Sequence, residues 1–164
     1  MRQLKIAILL LGILELGACH SRAKTVPVDP PQNVSSGSTL TLNQTIVIPD
    51  GSTGVHFQDT QLVEITSIQP NYAYCKFELN DPAGTARNIE PQAFTVASVD
   101  YDQESIGSLG EAVSSTRMNL QSGQQAAAYH MTCMLPAGPD SARFVTVYEI
   151  NGALGNYFTL MRVY

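Results

Sequence analysis

The chain has 164 residues and a formal net charge of −5, with charged residues at only 14% against 44% hydrophobic. That length permits one domain with a sizeable core and is too short for two ordinary ones. An acidic balance with no cluster of Lys or Arg repels phosphate backbones and anionic headgroups, so no nucleic acid is expected as a partner.

The first element in chain order is a targeting signal. Arg2 and Lys5 precede the apolar run Ile6 to Leu14, which leads to Leu16-Gly17-Ala18-Cys19. Basic start, short greasy segment, small residues at the cleavage point and a cysteine after them form the layout of a bacterial lipoprotein signal. The run is too short for a membrane span, which needs roughly 20 apolar residues. Glu15 weakens the apolar segment without outweighing the leucines and isoleucines around it. A plain cleaved signal followed by an incidental cysteine is the competing reading. On the lipoprotein reading residues 1–18 are removed, Cys19 carries acyl chains such as palmitate, and the protein is held in the cell envelope by lipid. His20 and Ser21 follow, with no Asp directly after the cysteine, which points to the outer membrane and a periplasm-facing domain. Loss of two basic residues and one acidic residue with the signal moves the net charge from −5 to −6.

Three cysteines are odd in an oxidising compartment until Cys19 is assigned to lipid; Cys75 and Cys133 then remain as a disulfide pair. The alternative, two thiols serving a redox or metal site, lacks the close Cys-x-x-Cys spacing such sites favour.

Residues 19–38 carry Pro27, Pro30 and Pro31 and then Ser35-Ser36-Gly37, with no apolar period to pack, and read as a disordered tether. The β domain is expected at 39–164. Leu40, Leu42, Ile46 and Ile48 share one face of a strand from Thr39 to Ile48, which Pro49-Asp50-Gly51 ends. Val55 and Phe57 continue the alternation, and Leu62 to Ile68 is rich in β-branched residues. In Tyr72 to Leu79 the residues Ala73, Cys75, Phe77 and Leu79 point inward. Gln92 to Tyr101 is strand-like around Phe94, Val96 and Val99, whereas 102–124 is polar and shows only weak strand character near Ser115 to Leu120. Ala126 to Leu135 alternates again and turns Cys133 inward. Segments Ala142 to Ile150 and Tyr157 to Tyr164 read as a terminal hairpin around Asn151 to Asn156. No long helical pattern is found. The expected fold is all-β: a single antiparallel β-sandwich or small barrel of seven or eight strands.

The lipid box, the Thr39 to Pro49 strand leading to Gly51 and Phe57-Gln58, the Tyr74-Cys75-Lys76-Phe77-Glu78-Leu79 block, Ile89-Glu90-Pro91 before Phe94, and Thr132-Cys133 together resemble small proteobacterial lipoproteins of uncharacterised function. The resemblance implies lipoprotein status and a Cys75–Cys133 bridge, and brings no catalytic residue with it.

Few constellations carry chemistry. Asp100, Asp102 and Glu104, continuing to Glu111, have the alternating oxygens of a calcium loop, but Ser105 stands where that loop needs Gly, so the segment reads as a solvated acidic loop. His56 and His130 lie on strand flanks opposite the buried face and read as surface residues rather than a zinc site or a base. No Gly-x-Ser-x-Gly elbow occurs. Neither metal nor cofactor is therefore expected. Among the seven tyrosines, Tyr72 and Tyr74 form the best candidate contact patch, since tyrosine joins an apolar ring to a polar tip. The expected function is a lipid-anchored envelope protein, non-enzymatic, that binds an envelope protein partner or is structural. A β-barrel carrier of a small apolar ligand is the alternative.

Overall fold

Alternating apolar residues fold into antiparallel strands. The computed structural model describes residues 33–106, 111–123, 129–137 and 143–163. Cys19, the signal and the tether through residue 32 lie outside them. Among the described residues the large sheet has eight strands and curls into a half-barrel. In spatial order it runs β10 (Phe158–Met161), β1 (Thr39–Leu42), β7 (Gln92–Ile106), β8 (Glu111–Gln121), β9 (Tyr129–Ala137), β5 (Tyr74–Leu79), β3 (Gly54–Gln58) and β4 (Gln61–Val63). A two-stranded sheet of β2 (Ile46–Ile48) and β6 (Arg87–Ile89) adds Ile46, Ile48 and Ile89 to the same core.

The hollow of the curl is filled with rings. Phe57 on β3 meets Phe158 on β10 edge-on at 5.5 Å although the two strands stand at opposite sides of the sheet order. Phe77 lies 5.3 Å from Phe158 and 5.8 Å from Phe94, and Tyr129 stacks on Phe77 at 5.4 Å. All four phenylalanines are fully buried. Curling brings the inner faces of distant strands together, so burial of these aromatics closes the structure that pairing leaves open.

Inward-pointing sets follow the period of two, and the core disulfide follows from it. Cys75 and Cys133 are directly opposed in the β5–β9 ladder, bonded at an S–S distance of 2.09 Å and wholly buried. On β7 the ladder shifts between Val96 and Ser98, so the inward set passes from Phe94 and Val96 to Val99 and Tyr101. The extra residue of a bulge changes the phase of a strand in this way.

The structure corrects the reading of several segments. Thr39 to Ile48 is two strands in two sheets, although Leu40, Leu42, Ile46 and Ile48 are all buried as expected. The strand expected over Leu62 to Ile68 ends at Val63 and gives way to a 3₁₀ turn at Ile65–Ser67. Strands β7 and β8 run far into the segment where only weak strand character was read, pairing from Thr95–Gln121 to Ile106–Glu111. The hairpin strand expected over Ala142 to Ile150 is not found in its described part, from residue 143 on, because Val147–Leu154 forms a helix, α1. Thr146 caps it: its hydroxyl accepts from the Glu149 N–H at 3.2 Å while the Glu149 carboxylate accepts from the Thr146 N–H at 3.0 Å. This reciprocal cap, with Gly155 at the other end and Ile150, Ala153 and Leu154 buried along one side, outweighs the local β-branched character. The chain is also packed before Thr39. Val34 is buried, its carbonyl accepts from the Tyr101 hydroxyl at 2.5 Å, and the Gly37 N–H donates to the Val96 carbonyl at 2.8 Å.

Candidate functional site

Helix α1 packs against β10, β5 and β3, and beside it the sheet surface is hollowed into a cleft of about 520 Å³. Its walls come from three places. The β3–β4 turn supplies Gln58 and Asp59, and the loop before β5 supplies Gln69, Asn71, Tyr72 and Ala73. Leu135 on β9 and Ala153 on α1 form apolar ground, with Arg143, Glu149 and Gly152 on the remaining side.

Each wall is pinned. Asp59 and Thr60 hold φ of +48° and +67°, the two left-handed residues that a two-residue turn between paired Gln58 and Gln61 requires. The Thr60 N–H donates to the Ala153 carbonyl at 3.2 Å, which ties that turn to the end of α1. Gly155, at φ +55°, sits against Thr60 so closely that an added Cβ would lie 2.4 Å from the threonine Cβ. Buried Gln58 fastens the loop: its amide donates to the Gln69 carbonyl at 3.0 Å and its oxygen accepts from the Gln69 N–H at 2.8 Å. A buried amide satisfied on both ends holds irregular backbone as a short ladder would. Asn71 takes φ +91° in the loop so fixed.

Arg143 and Glu149 form a forked pair, with the guanidinium donating to both carboxylate oxygens, at 2.7 Å from Nη1 and 2.5 Å from Nη2. The Arg143 contact, helped by the Thr146 N–H and hydroxyl, brings the Glu149 carboxyl down to about 2 from 4.5 against the opposing effect of burial. Beside this pair lies a second, more open hollow, also about 520 Å³, lined by Arg143, Thr146, Tyr148 and Glu149. The two hollows therefore adjoin across one ion pair. Tyr72 is 64% exposed beside the first and Tyr148 87% exposed beside the second.

The candidate residues of the sequence fall in different places. Tyr72 is on the cleft rim. Tyr74 is half-buried on β5, where burial raises its phenol, and does not line the cleft. His56 and His130 both occupy the outer face but on strands either side of β5, opposite Lys76 and Glu78 respectively. Strand spacing puts their backbones about 12 Å apart. His130 is more enclosed than expected of a surface residue, only 7% exposed, and its Nε2 lies 3.1 Å from Glu78, which also pairs with Lys76. Burial first, then Arg117, lowers the His130 pKa against the opposing pull of Glu78; burial and Lys76 lower that of His56. Asp100, Asp102 and Glu104 are on strand β7 rather than on a loop, and the Asp100 carboxylate accepts from Asn119 at 3.1 Å. No group of three or more His, Cys, Asp or Glu among the described residues is placed to hold a metal ion.

Sequence reading missed Arg143 and Glu149, and passed over Tyr148 among the seven tyrosines in favour of Tyr72 and Tyr74. The signal that could have found them is Thr146-Val147-Tyr148-Glu149, a capping box that sets α1 and leaves Tyr148 in its outward first turn. Comparisons with protein-family models, curated proteins and solved structures gave no match.

Proposed function

We propose that the protein is a lipid-anchored, non-enzymatic binding module of a bacterial envelope, held by acyl chains on Cys19 and facing the periplasm from the outer membrane. The observation that carries this is the buried Cys75–Cys133 bond: it takes both downstream cysteines, leaving Cys19, at the end of Leu16-Gly17-Ala18, as the third. A core disulfide suits an oxidising compartment, and the resemblance to small proteobacterial lipoproteins agrees with it. The pinned cleft beside Tyr72 supports binding as the activity, because fixed walls reduce the ordering cost of association. The ring-filled hollow of the half-barrel favours this reading over a carrier of an apolar ligand, which needs internal space.

The test is Cys19→Ser in the native host. Wild-type protein should fractionate with membranes and carry added lipid mass, and the variant should lose both. A variant with unaltered mass and membrane retention would overturn the proposal.

A further inference from the structure

The two adjoining hollows differ from an ordinary apolar pocket in what lines them. Beyond the apolar ground of Ala73, Leu135 and Ala153, the polar residues lining the cleft include Gln69 and Asn71, which carry carboxamides, together with Asp59 and the closed Arg143–Glu149 fork. An apolar ligand would strip water from these groups without replacing it. An anion meets Asp59 and a guanidinium already satisfied by a carboxylate, so a phosphate or acidic peptide finds no free charge. What matches planar amides, which both donate and accept, is a ligand rich in hydroxyl or acetamido groups and without charge. Each hollow is bordered by one highly exposed tyrosine, Tyr72 or Tyr148. A tyrosine ring offers an apolar face to the C–H side of a sugar ring while its hydroxyl stays in water. The volume, about 520 Å³ for each, falls in the size range of small-ligand sites, about 300–1,000 Å³.

We infer that the two hollows form one groove for a neutral oligosaccharide, whose successive sugar rings stack on Tyr72 and Tyr148 across the Arg143–Glu149 pair. This rests on the reading of the protein as an anchored envelope-binding module and specifies its ligand. The fixed loop matters here. Gln58 holds Gln69 and the Tyr72 carbonyl, at 3.0 and 3.4 Å, so the Tyr72 backbone is positioned before any sugar arrives. The Tyr148 backbone is held in the capped first turn of α1.

The experiment titrates the full-length lipidated protein, in detergent, with chitotetraose and separately with cellotetraose. Because the chain has seven tyrosines that emit together, binding is read by isothermal titration calorimetry. At least one of the two sugars should give a saturable change, with affinity falling at least about tenfold in Tyr72→Ala and in Tyr148→Ala and staying within about threefold in Tyr72→Phe. Both alanine variants replace exposed rings, and an unchanged thermal midpoint confirms that they fold. Absence of saturation by both sugars up to about 10 mM, or binding indifferent to both alanine substitutions, would overturn the inference. A photo-cross-linker at position 72 in living cells separates the two levels of the argument. Capture of a protein there, with no sugar bound in vitro, overturns the saccharide and leaves the binding module standing; silence in both assays removes both.

Discussion

Strands β5 and β9 meet over six residue pairs in unbroken antiparallel register, with Cys75 bonded to Cys133 in their midst, whereas the cleft beside them is assembled from a turn, a loop and single contributions of β3, β9 and the short helix α1. Along β5–β9 the inward apolar side chains are buried at every second position, with His130 buried as well on the other face, and the hydrogen-bonded pairs recur regularly along the ladder. Around the cleft the same task falls to single, dissimilar devices: the left-handed Asp59-Thr60 turn, the buried Gln58 amide, the close approach of Gly155 and the capping box of Thr146 and Glu149. Periodic structure distributes stability over many equivalent contacts, so no one side chain decides it except the covalent bond. Irregular structure concentrates it, so individual residues there control shape out of proportion to the area they bury.

The largest expected effect tests the regular half. Replacing Cys75 and Cys133 together by Ala opens a loop spanning 58 positions, which should lower unfolding free energy by about 4 kcal/mol in urea titrations at the upper end of the chain-entropy account. The cleft should be rebuilt unaltered if the protein folds, with the Thr60 amide still protected from exchange; loss of that protection at native conditions would show that the two regions are one cooperative unit.

A smaller effect tests the irregular half. Gly155→Ala places a Cβ 2.4 Å from that of Thr60 in a backbone conformation with φ +55°, and should cost about 3 kcal/mol. Its companion is Gly152→Ala, three residues earlier in α1, where nothing lies within 4 Å of the new methyl. That change should stabilise by about 0.5–1 kcal/mol through helix propensity alone. Thermal melts of the pair suffice, and equal effects would mean that the Thr60 contact does not govern the cleft.

Acid titration should produce the smallest change and separates the regions by pH. His56 and His130 on the sheet have lowered pKa values, so the unfolded chain binds their protons more readily; stability is complete above 6.5 and declines as pH falls below it. Glu149 by the cleft has a carboxyl depressed to about 2, so its contribution is complete above 4.5 and lost between there and about 2. Glu149→Gln should flatten only the lower stage of a plot of melting temperature against pH. A wild-type and variant profile that run parallel below pH 4.5 would remove the Arg143–Glu149 pair from the account.

Legibility in the sequence divides along the same line. The alternation of Cys75, Phe77 and Leu79, and of Tyr129, Met131 and Cys133, announces strands because a pleated backbone has a strict period of two, and their burial agrees in every case. The passage from Phe94 and Val96 to Val99 already contains the phase change of the bulge on β7. Helix α1 was hidden since its eight residues span just over two turns, too short for a helical period to stand out against Val145, Val147 and Ile150. Its capping box was nevertheless written in Thr146 and Glu149. Long β7 and β8 were obscured by their polarity: Asp100, Asp102 and Glu104 face outward, while the inward positions include Gln103 and Ser114, joined by a hydrogen bond of 3.1 Å. Alternation of polar with polar leaves no pattern to read.

From the order of residues alone came the antiparallel β class, the inward cysteines and the disulfide between them; the proposal of export and lipidation likewise rests on residues 1–19 as a sequence. Those are local properties, set by period, spacing and side-chain chemistry within short stretches. Only the tertiary structure decided that the sheet curls until Phe57 reaches Phe158, that Asp59, Tyr72, Leu135 and Arg143 line one cleft, and that Arg143 and Tyr148 line a second hollow. Those residues come from two stretches of chain, 59–72 and 135–148, far apart in sequence, and no local preference in one stretch specifies the other; they are neighbours because burying the four phenylalanines bends the sheet and seats α1 beside it.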